Sequence, residues 1–341
     1  MLLSAHRIRD HSRRRRMGQV IRTLALVATM AAFSGLAIEN VAAQGAPYPT
    51  KPIKLIIPYA PGGGTDAVAA AFSDKLSQKL GQPIVKENHA GSNSVIGTAL
   101  LAQAPPDGQT LLVVTAAIAN NPFLYSKLPY QTETFVPVSI LTSYPFVLGV
   151  RANLPFNSMQ ELIAYAKANP GKLTAGTSGR GAGAQLALGL LNKSAGIQIR
   201  DIPFKGAGES LNNVAGGFVD MVFSGYETVR PFVESGKMKA FAHTGTEPLG
   251  TERIPPIADA VPGFEYLNWL GLIAPAGTPP AVTEKLNAEL KAIFAQQDVK
   301  DRLAAQNITS VASTSAEAKT YLAKEMEKSK SIIESIGLKP E

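Results

Sequence analysis

The groups best placed to do chemistry in this sequence are backbone amides. Pro58-Tyr-Ala-Pro-Gly-Gly-Gly-Thr-Asp66 follows a short apolar run, Ile53 to Ile57. It precedes Ala69, Phe72, Leu76 and Leu80 at helical spacing. The order is strand, glycine-rich loop, helix N-terminus, with Thr65 as the expected N-cap. Such a loop points N–H groups at a bound anion, the helix dipole favours the negative charge, and glycine lets the anion come close. An ordinary β–α turn would look the same in isolation.

The same residues narrow the anion. A phosphate-binding P-loop ends in Gly-Lys-Ser/Thr, whereas this loop ends in Gly64-Thr65-Asp66. A dinucleotide fingerprint needs G-x-G-x-x-G, which Gly62-Gly63-Gly64 does not supply. Asp66 also sets a negative charge beside the loop. It either accepts hydrogen bonds from a ligand or locks the loop, and an acid in a first helical turn suits the dipole.

Side-chain catalysis finds little support. After residue 43 there are two histidines, His89 and His243, and the chain has no cysteine. Neither histidine has a nucleophile pattern beside it. Gly176-Thr-Ser178-Gly-Arg180 lacks the last glycine of a nucleophile elbow. No H-E-x-x-H or spaced carboxylate–histidine cluster occurs, so no metal and no cofactor are expected. The expectation is a binding protein and not an enzyme.

The first 43 residues read as a secretory signal peptide. Arg13 to Arg16 precede an apolar stretch from Thr23 to Ile38, and Val41-Ala42-Ala43 offers small residues for cleavage before Gln44. Seven arginines and two acids lie in this leader. The rest of the chain keeps 26 basic and 24 acidic residues, a net charge of +2 in place of +7. The basic character therefore belongs to the leader, and nucleic acid is not an expected partner. The expected location is the periplasm.

Strands and helices alternate through the remaining 298 residues, a length that suits two domains. Strands are expected at 53–57, 84–87, 110–115, 138–141, 146–150, 173–176, 199–204, 219–223, 239–243 and 270–274. Helices are expected at 95–103, 184–193 and 209–215, after Thr278-Pro-Pro280, and after two capping boxes, Ser158–Glu161 and Thr314–Glu317. Residues 120–130 read as loop. Alternating β and α segments imply parallel sheets covered by helices, with ligands outside the carboxyl ends of the strands.

An ordered set of motifs carries a more specific reading. After the first loop come Lys86-Glu-Asn-His-Ala-Gly91, Pro106-Asp-Gly-Gln-Thr-Leu-Leu112, Asn121-Pro-Phe-Leu-Tyr125, Leu128-Pro-Tyr130 and Ala168-Asn-Pro-Gly-Lys172. Gly176-Thr-Ser-Gly-Arg-Gly-Ala-Gly183, Phe204-Lys-Gly206, Gly217-Phe-Val-Asp-Met221 and Ala274-Pro-Ala-Gly-Thr-Pro279 follow. In this order they resemble the Bug-type receptors of tripartite tricarboxylate transporters over nearly all of the chain beyond the leader.

The resemblance implies a periplasmic-binding-protein fold: two α/β domains, a ligand cleft between them, and two crossover strands. Domain 1 would comprise 44–149 and 271–341, and domain 2 would comprise 150–270. A small carboxylate would be held largely by backbone amides and water, and the domains would close over it. On this reading the first domain brings Tyr59, Gly63, Gly64, Thr65, Asp66, Thr115 and Ala116 to the ligand. The second brings Thr177, Ser178, Gly179, Arg180, Gln185, Phe204, Lys205 and Tyr226. Gln185 stands where the family usually has histidine. Arg180 is expected to offer a bidentate donor to a second carboxylate. The function implied is a monomeric receptor that delivers a carboxylate to membrane transport subunits. The alternative is a sensing protein that signals to a membrane kinase without transport. An exported hydrolase is weaker still, for want of a catalytic set.

Overall fold

Two mixed sheets organise the chain. A computed structural model describes residues 48–61, 64–250 and 252–341. Lys51–Glu341 forms one unit, and the fold described here is that unit's. The signal-peptide expectation falls outside the described residues, as do Gly62 and Gly63.

The first sheet has the order β11-β4-β10-β3-β1-β2. Its strands are β1 (Ile53–Ile57), β2 (Ile84–Asn88), β3 (Thr110–Thr115), β4 (Val136–Pro145), β10 (Leu267–Ala274) and the short β11 (Thr309–Ser310). β1 is buried at four of its five residues, as expected of a parallel strand covered on both faces. Helix α1 (Gly64–Leu80) turns Val68, Phe72, Leu76 and Leu80 inward. There the Phe72 ring meets Phe294 of α8 (Pro280–Phe294) at 5.9 Å.

The second sheet has the order β7-β6-β8-β5-β9. It comprises β5 (Val147–Arg151), β6 (Thr174–Thr177), β7 (Arg200–Pro203), β8 (Met221–Ser224) and β9 (Met238–His243). Helices α4 (Met159–Ala168), α5 (Gly183–Ala195), α6 (Ala207–Ala215) and α7 (Tyr226–Glu234) accompany it.

The expectation of purely parallel sheets needs correction. β10 runs antiparallel to β3 and β4, and β5 runs antiparallel to β8 and β9. The reason is the route of the chain. It leaves the first sheet at the end of β4, turns at Phe146 and enters the second sheet as β5. It returns as β10, so these strands are not joined by the usual β–α–β crossovers.

The helix ends follow their local chemistry. Thr314 and Glu317 form the reciprocal capping box that opens α10 (Ser315–Ser335). Ser158 caps α4, but Glu161 returns its bond to the amide of Asn157, one residue before the cap. The start of the expected 120–130 loop is helical: Asn120 ends α3 (Ala117–Asn120), and a 3-10 turn (Asn121–Phe123) follows. Helices α2 (Val95–Ala102) and α9 (Gln297–Ala304) complete the set. Helix α10 contacts β4, α3 and α5, so it touches both halves. Among the described residues, no helix is long and apolar enough to cross a membrane.

Candidate functional site

The first loop is braced from β2. Asn88, opposite Ile57 in the ladder, donates its side-chain amide to the Tyr59 carbonyl at 3.0 Å and to Asp66 Oδ1 at 3.1 Å. Asp66 therefore ties the loop to the sheet through the Asn88 side chain. Helix α1 begins at Gly64, so Thr65 sits inside the first turn and is not the cap. The Tyr59 hydroxyl shares a 2.8 Å hydrogen bond with Thr115 Oγ1, which also accepts from the Ala117 amide. Burial raises the Tyr59 pKa, against the opposing effect of its bonds to Thr115 and Ser94. Ala116 is buried in the first-sheet core.

The second loop is braced from β7. Asp201 accepts from Thr177 Oγ1 at 2.6 Å and from Gln185 Nε2 at 2.5 Å. Gln185 Oε1 accepts from the Gly181 amide at 2.7 Å. Both ends of Gln185 are thus engaged, and it holds the loop's shape. Buried Asn120 donates to the Gly181 carbonyl at 3.0 Å and accepts from Ser329 of α10 at 2.7 Å, which pins this loop to the other half. Ser178 is partly exposed, and Gly179 lies beside the Phe204 carbonyl.

Four of the expected residues are placed differently from their assigned roles. Arg180 pairs with the Glu341 carboxylate and donates to the Lys339 carbonyl, so the C-terminal segment occupies its guanidinium. Tyr226 is buried in the second-sheet core among Val147, Leu211 and Ile254. Phe204 packs against the same core. Lys205 is exposed, and its backbone amide is bonded to Glu209 at the start of α6. Apolar burial decides the two aromatics, and acceptors of the C-terminal segment decide Arg180.

The crossover segments supply what the sequence reading missed. Tyr144 and Asn268 face each other across β4 and β10, and the Asn268 amide donates to the Tyr144 hydroxyl. Phe146 and Tyr266 stack at 6.1 Å between centroids, and Tyr144 meets Phe146 edge-on at 6.4 Å. Thr244 staples the two segments: its hydroxyl accepts from the Phe146 amide at 2.9 Å and donates to the Tyr266 carbonyl. These residues form a floor, and the two glycine-started helices meet it.

A Cβ on Gly64, at the start of α1, would lie 3.7 Å from Glu227 Oε1 and 3.8 Å from the Tyr144 hydroxyl. A Cβ on Gly183, at the start of α5, would lie 3.0 Å from the Phe146 ring and 3.4 Å from the Tyr266 hydroxyl. Both helix N-termini thus lie over one floor, and at Gly183 a side chain would crowd it. Burial, with the Glu227 carboxyl nearby, holds the Tyr144 hydroxyl well above the usual phenol range, and Asn268 opposes that shift. No spacing or motif signals these floor residues, because they become neighbours only when both crossings are made.

A cavity of about 520 Å³ lies elsewhere, between Ile140, Ser143, Lys291, Val311, Glu317 and Tyr321. None of its lining residues belongs to either glycine loop. Among the described residues, no group of three histidines or acids could hold a metal ion.

The family model TctC, described as the tripartite tricarboxylate transporter family receptor, matches residues 68–338. The chain belongs to that family. The Bug-type resemblance drawn from the motifs is thereby borne out. Among TctC relatives, Protein BugT of Bordetella pertussis is 32% identical over 323 residues, covering 93% of this chain and 98% of BugT. An R. palustris protein solved with adipate superposes with a TM-score of 0.79 at 28% identity, covering 86% of this chain and all (100%) of that one. MatC from Rhodopseudomonas palustris, solved with bound malate, gives a TM-score of 0.74 at 29% identity, covering 84% and 100%. The fold is that of TctC-type periplasmic binding proteins, and the chain is a solute-binding receptor of this family.

Proposed function

We propose that this receptor captures a small carboxylate in the cleft between its two α/β halves and delivers it to the membrane subunits of a tripartite tricarboxylate-type transporter. One observation carries the reading: α1 and α5, from different sheets, present glycine-started N-termini to a shared aromatic floor. Helix N-termini carry unpaired N–H groups and a partial positive charge, which suit carboxylate oxygens. Adipate and malate, bound by the two similar solved proteins, are both dicarboxylates.

The two halves act as domains, 44–149 with 271–341 and 150–270, that hinge at the crossings near Phe146 and Leu267. Ligand contact with both helix ends stabilises the closed form by its higher affinity for that form. The protein works as a periplasmic monomer after removal of residues 1–43.

A thermal-shift panel of mono-, di- and tricarboxylates tests the reading. A ligand that binds only the folded state raises the Tm by mass action. Concentration-dependent stabilisation by at least one small carboxylate is expected. Stabilisation by none of them, at concentrations up to the millimolar range, overturns it.

A further inference from the structure

Glu227 is the outlier in this site. It is the second residue of α7, and its Oε2 is buried without a hydrogen-bond partner among the described residues. Its neighbours are satisfied. Ser224 and Thr228 share a 2.8 Å hydrogen bond, and Thr228 also donates to the Gly225 carbonyl at 2.7 Å. A carboxylate oxygen buried without a partner is costly, because at that atom water has been lost and no hydrogen bond replaces it. Each such group calls for an explanation, and a bound ligand supplies one here.

The position of Glu227 says what kind of group completes it. Its Oε1 faces the first residue of α1 across the cleft, beside the Tyr144 hydroxyl. The Tyr144 oxygen already accepts from Asn268. No lysine or arginine is among the groups that shift the Glu227 carboxyl, whose charge is opposed by burial and eased by its own backbone amide. A ligand carboxylate at the α1 N-terminus therefore lies next to an acceptor that has no cation of its own. A second ligand carboxylate placed there would be repelled. A hydrogen-bond donor placed there would be bonded.

The geometry points to Glu227 as a specificity residue that selects carboxylates bearing an amino or hydroxyl donor next to the acid group. This inference rests on the receptor reading above, and goes further by naming the ligand's second functional group and the residue that reads it. A hydrogen bond to a charged group, set against the same acceptor left unpaired, corresponds to roughly a tenfold or greater preference.

The test uses matched acids that differ only at C2: succinate, malate and aspartate; glutarate, 2-hydroxyglutarate and glutamate; adipate, 2-hydroxyadipate and 2-aminoadipate. Calorimetric affinities are measured for the wild type and Glu227→Gln. In at least one series the wild type should bind a donor-bearing acid about tenfold or more tightly than the unsubstituted acid. Which donor wins separates amino from hydroxyl recognition. Glu227→Gln should cut that preference to about threefold or less, mainly by weakening the donor-bearing acid. Its ligand-free Tm should be unchanged or higher, which a merely structural glutamate would not give.

A wild type that prefers the unsubstituted acid in every series it binds overturns the assignment and leaves the receptor reading intact. So does an equal change for all acids on substitution, which would make Glu227 a competitor for the carboxylate site. A wild type that binds none of the nine, yet is stabilised by other carboxylates, also overturns this assignment alone. No stabilisation by any carboxylate overturns both.

Discussion

Phe146 and Tyr266 stack at 6.1 Å with ring planes 13° apart, and each comes from a different crossing of the chain between its two sheets. The stack joins the two crossings at the place where the ligand is proposed to sit. Gly183 lies directly against it.

Gly183→Val should therefore damage both binding and stability. The added Cβ would stand 3.0 Å from the Phe146 ring before its branches are counted. Overpacking of this kind costs about 1–3 kcal/mol. Urea denaturation should show a loss of that size, and carboxylate affinity should fall at least about tenfold as the α5 N-terminus is displaced. Unchanged affinity would separate α5 from the site.

Arg180→Ala should do little. Its side chain is 39% exposed and that of Glu341 is 60% exposed, so the pair lies in well-solvated surroundings. Exposed ion pairs contribute about 0–1 kcal/mol. Affinities for a dicarboxylate and a matched monocarboxylate should both stay within about twofold of wild type. A selective loss for the dicarboxylate would restore the role expected from the sequence.

The difference between Arg180 and Gln185 shows what could be read in advance. The order of β and α elements was legible because β1 and β3 are short, nearly continuous buried apolar runs, while α1 and α8 bury residues at helical spacing. The first glycine loop was legible as a candidate helix-start anion site, and the second entered through the family resemblance. Gln185 was found by its position in the family pattern, but one of its two bonds depends on Asp201, sixteen residues later on a neighbouring strand. Arg180 depends on the C-terminal segment, and Tyr144, Phe146, Tyr266 and Asn268 depend on register between distant strands. Local pattern carries no information about such pairings. The antiparallel crossings were missed for the same reason.

Stability should respond to pH through Glu227. Burial raises its pKa from the ordinary 4.5. A raised folded-state value means the folded protein holds the proton more tightly than the unfolded chain does. The resulting stabilisation is complete below 4.5 and is lost as pH rises through the folded-state value. Glu227→Gln removes this loss. Chemical denaturation of both proteins at pH 4.5 and pH 8 should show the variant gaining relative to wild type at the higher pH. A constant difference would mean that Glu227 titrates alike in both states.

Hydrogen exchange read by mass spectrometry tests the central claim most directly. The protein is compared alone and saturated with the carboxylate that stabilises it most in the thermal-shift panel. The account predicts protection in both helix starts together, residues 64–68 of α1 and 183–187 of α5, because one ligand bridges amides from the two halves. Protection confined to one of these segments, or centred on the cavity near Lys291 and Glu317, would contradict it.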